Sequence, residues 1–368
     1  MKRLTILSVL MLLAVVAHAQ LTMPPDGGNK KASVSERIGI TDVVVTYDRP
    51  AVKGREGKIW GGLVPYGFND LGFGTSKQAP WRAGANENTT VSFSTDVKIE
   101  GKPLAAGKYG FFIALQEDGT ATVIFSKNAS SWGSFFYDAT EDALRATVKT
   151  EKMSQSIERL KYEFLDQTEN TATVALLWEK LKIPFRIEVE LPKTQVESFR
   201  RELRSDKGFK WEAFAEAAAF CVRNNTNLPE ALMWADAAVS RPFVGEKNFR
   251  TLSVKSQVLT ASGKTTEADA VMAEALPMGS MQELHQYARQ LLAGKKPAEA
   301  LKVFKLNAEK NPNQFTTAMG LMRGYAAAGD IKNALQHAKA ALPLAPDAGN
   351  KASVENMIKQ LEAGKTIN

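Results

Sequence analysis

The stretch Leu284–Pro312, LHQYARQLLAGKKPAEALKVFKLNAEKNP, reads as two helices joined by a tight stop. Leu284, Tyr287, Ala288, Leu291 and Leu292 fall at the three- and four-residue steps that gather apolar side chains on one helix face. Gly294 is the residue best suited to a left-handed stop, because it has no Cβ to clash there. Ala300, Leu301, Phe304 and Ala308 then form a second stripe, closed by Asn311-Pro312. His285 lies on the polar side of the first stripe and is expected at the surface. The next unit repeats the order: Phe315, Met319, Met322 and Tyr325, then Gly329-Asp330, then Ala334, Leu335, Ala338 and Ala341 before Pro346. Working outward, Pro242, Pro277, Pro312 and Pro346 recur at intervals of 35, 35 and 34 residues.

A helix pair with a period near 34 residues resembles the tetratricopeptide repeat. The resemblance implies an all-α helix-turn-helix solenoid over residues 209–368; the concave face made by the first helix of each pair suits an extended peptide or protein partner, the alternative being a rigid spacer packed on the preceding domain. Arg250, Lys255, Gln286 and Arg323 are expected on that face, and Val354, Ile358 and Leu361 in a C-terminal capping helix. Val196, Phe199 and Leu203 form a joining helix within 193–208, whose Arg200, Arg201 and Arg204 are expected to be solvated or shielded by acidic groups of the preceding domain. The single thiol, Cys221, sits among Ala217, Ala218, Ala219, Phe220 and Val222 and reads as buried and structural.

Before residue 193 the period changes to two. Val43, Val45 and Tyr47, then Val91 and Phe93, then Ile187, Val189 and Leu191 alternate with more polar neighbours. Asp118-Gly119 between Phe111–Leu115 and Ala121–Phe125 signals a type I′ hairpin. Further strands are expected near Leu144–Lys149, Leu160–Leu165 and Thr171–Trp178, and Pro184 suggests a late start or an edge position for the last strand. Residues 20–192 therefore read as an all-β sandwich, jelly-roll-like, of eight to ten short strands.

The alternation fails over residues 48–88, far beyond an ordinary connection and too rich in Trp, Tyr, Phe and Leu to be disordered. This long loop carries Arg49-Pro50, Lys53-Gly54-Arg55, Leu63-Val64-Pro65-Tyr66-Gly67 and Trp81-Arg82-Ala83-Gly84-Ala85-Asn86-Glu87-Asn88-Thr89. With Leu104, Gly107, Tyr109 and Trp132-Gly133, these elements resemble the secreted bacterial family called domain of unknown function 2911, over about residues 24–191. The resemblance implies an exported β-sandwich and no assigned activity. Residues 68–80 depart from the pattern as an insertion that either covers or extends any site in the loop.

Both histidines beyond the first 20 residues, His285 and His337, lie in the helical half, so the β half has no Ser-His-Asp triad, Cys-His pair or histidine zinc site. What remains is a palette for a saccharide or small polar ligand: the planar fork of Arg82, the amide of Asn86, the carboxyl of Glu87, and flat faces from Trp60, Trp81, Trp132 and Tyr137. The same residues also read as a pinned loop, with Arg82 paired to Glu87 or Asp48. A carbohydrate-active hydrolase using Glu87 with Asp48 or Asp138 is the alternative reading, since glycosidases need two carboxyl groups about 5 to 9.5 Å apart. No cofactor motif or metal-ligand run is present, and no metal is assigned.

Met1–Ala19 reads as a signal peptide: Lys2 and Arg3, the apolar run Leu4–Ala17, then Ala17-His18-Ala19 before Gln20. A mobile leader around Met23–Gly28 follows. The expected location is periplasmic or secreted, with no transmembrane segment in the mature chain. The formal net charge of +7 is unevenly placed: Lys2 and Arg3 precede Gln20, Gln20–Pro192 carries 21 basic and 22 acidic residues, and Lys193 onward 24 and 18. The helical half lacks the aromatic interleaving of a nucleic-acid binder, so no nucleic-acid role is assigned. The reading is a non-catalytic binding protein of the cell envelope, its sandwich engaging protein or glycan and its repeats engaging protein.

Overall fold

The computed structural model describes residues 28–365 and Ile367; the expected signal peptide and most of the leader lie outside the described residues. The chain divides into two compact units between Thr194 and Gln195.

The first unit is built of antiparallel strands in two sheets. Strands β1 (Lys30–Ile38), β2 (Thr41–Arg49), β3 (Thr90–Phe93), β6 (Gly107–Leu115), β7 (Thr120–Ser126) and β8 (Asp142–Lys149) lie side by side in that order. Strands β5 (Lys102–Leu104), β4 (Val97–Ile99), β10 (Thr171–Glu188) and β9 (Glu151–Leu165) form the second sheet. The alternation seen in sequence sets the core: Val43, Val45, Tyr47, Val91 and Phe93 are buried and pack with Phe111, Phe125, Tyr162, Phe185 and Ile187.

Three local expectations change. The hairpin between β6 and β7 is not type I′, because only Gly119 of its turn has positive φ, at 83°. The Asp118 carboxylate instead accepts from the Thr120 N–H at 2.9 Å and from its Oγ1 at 2.7 Å, and Gln116 N–H bonds Thr120 O at 2.8 Å. Pro184 lies well inside β10, at the change of partner: pairing with β9 extends to Lys182 and pairing with β4 takes over at Ile187. A residue without an N–H is tolerated where the ladder is interrupted. Leu191 is not part of that strand but the first residue of the next helix.

The second unit is helical, as the proline spacing predicts. Helix α1 (Leu191–Glu202) is followed by the pairs α2 (Trp211–Arg223) and α3 (Leu228–Ser240), α4 (Phe249–Ala261) and α5 (Thr265–Ala275), α6 (Met281–Ala293) and α7 (Pro297–Lys310), α8 (Phe315–Ala327) and α9 (Ile331–Ala341), then by α10 (Ala348–Glu362). Ser280 and Glu283 form a capping box that starts α6. The left-handed stop after α6 falls on Lys295 (φ 58°), one residue beyond Gly294, whose φ is −79°. Gly320 and Gly324 let α8 approach α7 closely: a Cβ at Gly320 would meet the Phe304 ring at 2.6 Å. Cys221 is fully buried, as expected. Arg200 is not merely solvated; it forks onto Glu230 of α3 with contacts of 2.7 to 3.1 Å. His285 is buried, not exposed, against Phe304 with ring centroids 5.5 Å apart. Val354 and Leu361 of α10 are buried against the last pair. Among the described residues no helix is long and apolar enough to cross a membrane.

Candidate functional site

Between β2 and β3, residues 50–89 form no regular strand, yet they are anchored. Val52, Ile59, Val64 and Ala83 are buried in the core, the larger side chains contributing roughly 1.5–3 kcal/mol each. Backbone bonds tie Val52 N to Glu158 O at 2.8 Å, Gly67 N to Leu115 O at 2.7 Å, and Trp81 to Ile113 in both directions at 2.8 and 2.9 Å. Residues 68–80 fold back on themselves: Asn69 and Ala79 exchange backbone bonds of 2.8 and 3.0 Å, Ser76 N–H reaches Phe135 O at 3.0 Å, and Phe73 sits edge-on to Phe135 and Phe136. The insertion contributes Leu71, Ala79 and Pro80 to the wall of a cavity, which it therefore extends.

That cavity has a volume of about 500 Å³. Trp81 and Trp178 line it, stacked at 6.0 Å with 19° between their planes, and Trp60 packs edge-on to both at 5.6 Å. A kink in β10 fixes Trp178. Glu179 has left-handed φ (50°) and is buried, its carboxylate accepting from the N–H of Gly57 at 3.3 Å and of Lys180 at 2.7 Å. The indole N–H groups of Trp60 and Trp178 are buried without an acceptor among the described residues, a cost of about 1–3 kcal/mol each.

Arg82 has no carboxylate partner among the described residues, so the pairing with Glu87 or Asp48 weighed from sequence is not formed. Its Nη1 donates to Asn86 O at 2.6 Å, and its guanidinium lies 4.9 Å from the Phe135 ring centroid. Gly133 makes room for it: φ there is 59°, and a Cβ would come within 2.3 Å of Arg82 Cζ. Burial pulls the Arg82 pKa below its usual value, but a guanidinium stays cationic at any physiological pH. Two more cations line the same cavity. Arg55 donates to the carbonyls of Val52 at 2.9 Å and Ala51 at 2.7 Å, while Lys53, at φ 51°, forms no ion pair among the described residues. No Asp or Glu is among the described lining residues.

Asn86, at φ 53°, accepts from Asn29 Nδ2 at 3.2 Å, and both line the cavity. The Asp48 carboxyl nearby is pushed up mainly by burial and pulled back by the Asn86 amide and by Lys31. Glu87 points elsewhere: it pairs with Lys31, is half-exposed, and lines a separate cavity of about 310 Å³ with Trp132, which is 56% exposed. Asp138 caps a short 3-10 helix through Thr140 N–H at 2.8 Å. Tyr137 is not a free stacking face; it is buried with Phe112 and Ile124, and its hydroxyl donates to Asp142 at 2.7 Å.

The structure thus brings Trp81, Arg82 and Asn86 to one cavity, puts Trp60 behind it, and places Glu87 and Trp132 at another. Sequence reasoning left out Trp178, Lys53, Arg55 and Phe135. The Lys-Gly-Arg run in the long loop was a usable signal for two of them.

Residues 29–187 match the family described as "Protein of unknown function (DUF2911)". The described residues lining the cavity come from the matched segment and from Gly28 just before it. No curated protein gives a match to the chain. Among solved structures, a chain from Podosopora anserina described as "kinesin light chain nearly identical TPR-like repeats" is similar, at 14% identity and a TM-score of 0.22, covering 48% of this chain and 96% of that one. Beyond the matched segment, the chain continues as the helical pairs described above.

Proposed function

We propose that this is an exported, non-catalytic binding protein in which the DUF2911 segment holds a small polar ligand against Trp81 and Trp178 and the helical repeats hold a protein. The observation that carries the reading is the cavity itself: at about 500 Å³ it is of ligand size, with an aromatic floor and convergent polar groups from Arg82, Asn86 and Asn29. A saccharide suits such a lining, as do fragments of an envelope polymer. Glu87, the carboxylate a hydrolase would use on the alternative reading, pairs with Lys31 and lines a different cavity. Protein binding by the repeats is supported by two further hollows: one of about 330 Å³ between Arg250, Gln257, Gln286 and Tyr287, and one of about 240 Å³ beside His285, Arg323 and Asn350. Export is supported by Lys2-Arg3, the apolar run after them and Ala17-His18-Ala19.

The test is a thermal-shift screen of the full chain against mono- and oligosaccharides and peptidoglycan fragments. The expected result is stabilisation by at least one class, abolished by Asn86→Ala with the fold intact. Stabilisation that survives Asn86→Ala and Trp81→Ala would move the ligand out of this cavity. For export, N-terminal sequencing of protein from expressing cells should begin at Gln20; an intact Met1 terminus would contradict it.

A further inference from the structure

We infer that the ligand of the tryptophan cavity is an organic anion, its carboxylate or phosphate group held by Arg82 and its body lying along Trp81 and Trp178. The inference rests on the small-ligand reading above and adds the sign of the ligand's charge.

Three observations converge. Among the described residues, Lys53, Arg55 and Arg82 line the cavity and no acidic residue does, so the described lining carries three formal positive charges. None of the three is spent on a carboxylate: Arg55 and Arg82 donate to backbone carbonyls, which are neutral, and Lys53 has no ion-pair partner among the described residues. Finally, Arg82 is held in a set place by Phe135, by Gly133 and by the Asn86 carbonyl, with only part of its five-donor fork used. A preorganised, partly desolvated fork is the group that recognises carboxylate or phosphate through paired hydrogen bonds, and a ligand that offers only acceptors matches it. Asp48 is not among the described lining residues, and burial is the first influence raising its carboxyl pKa.

The remaining wall, Leu63, Val64, Pro65, Leu71 and Pro80, is apolar and suits the body of the ligand rather than its charged end. Inorganic phosphate alone is therefore expected to bind weakly, and an anion on a ring more tightly.

The test is isothermal titration calorimetry of the full chain with pairs of probes that differ only in charge: methyl β-D-glucuronide with methyl β-D-glucoside, glucose 6-phosphate with glucose, and benzoate with benzamide. The expected result is that at least one anion binds about tenfold or more tightly than its neutral partner, with affinity falling as salt rises, as surface-accessible ion pairs do. The glucuronide and phosphate arms separate the two anion chemistries. Arg82→Gln should abolish the preference while leaving the melting temperature of the free protein within a few degrees. Equal binding of charged and neutral partners would overturn the anion inference and leave the small-ligand reading standing. Absence of any binding, by anion or neutral, in the same panel would overturn both. A charge preference that survives Arg82→Gln and Arg55→Gln alike would also overturn it, by placing the anion elsewhere.

Discussion

Trp81 and Trp178 stack at 6.0 Å although 97 positions separate them in the chain. The contact fastens the long loop to β10, and with Trp60 it forms an aromatic block that is both the floor of the cavity and part of the core. Trp178 is 1% exposed. Trp178→Ala should therefore cost about 3–5 kcal/mol, the range for deleting a large buried aromatic, read from urea unfolding of the full chain. A cost below about 1 kcal/mol would mean that the loop is not seated as described.

Arg82 is predicted to matter far less for stability than a buried ion pair. Its contacts are one carbonyl and one aromatic ring, so Arg82→Met should cost about 1–2 kcal/mol. Removing one member of a buried pair costs about 3–5 kcal/mol, and a loss of that size would reveal a carboxylate partner. Glu87→Gln breaks a half-exposed pair with Lys31 and should stay within the roughly 0.5 kcal/mol scatter of surface substitutions.

His285 gives the helical unit a pH response. Burial, then Arg323 and Arg289, hold its imidazole pKa down at about 4 against the ordinary 6.5. Between these values the unfolded chain binds the proton and the folded chain does not. Its contribution is thus complete above pH 6.5 and is lost as pH falls toward 4, by about 2 kcal/mol at pH 5. Unfolding followed by circular dichroism at pH 7.5 and pH 5 should show this loss, and His285→Leu should remove most of it. His337, also lowered by burial, accounts for a smaller residual slope. An unchanged slope in His285→Leu would refute the assignment.

Gly320→Ala tests the close approach of α8 to α7. The added methyl would stand 2.6 Å from the Phe304 ring, so the pair must separate, at about 1–3 kcal/mol despite the gain in helix propensity. A stabilised variant would contradict the packing.

Cys221 should be unreactive in the folded chain. The thiol is fully buried and burial pushes its pKa up to about 11, which leaves almost no thiolate at pH 8. Labelling by a disulfide reagent should be slow in buffer and complete in denaturant; prompt labelling in buffer would contradict the burial.

The limits of sequence reading follow from what each signal contains. Proline spacing and apolar stripes reveal the helix pairs because each stripe is set by contacts a few residues apart. His285 escaped because a repeat buries its first helices on two sides: Gly320 of the next pair approaches the imidazole, a contact outside the helix's own period. The hairpin at Asp118-Gly119 was legible, but not its turn type, which depends on whether Asp118 spends its carboxylate on Thr120. At the cavity, Trp81, Arg82 and Asn86 were legible because they share one motif. Trp178 read as an ordinary strand residue, since nothing local shows that Glu179 turns left-handed and that a loop more than 90 residues earlier covers that strand. Glu87 is adjacent to Asn86 in sequence, yet the left-handed φ of Asn86 sends the chain toward Lys31 and a different cavity.

The measurement that tests the cavity most directly needs no ligand: collisional quenching of tryptophan fluorescence by iodide and by caesium in a Trp132→Phe background, compared with the same background carrying Trp81→Phe. The expected result is that the emission lost with Trp81 is quenched more strongly by iodide than by caesium, and that Arg82→Gln narrows the difference. Equal quenching by the two ions, or stronger quenching by caesium, would contradict an open, positively charged cavity floored by Trp81.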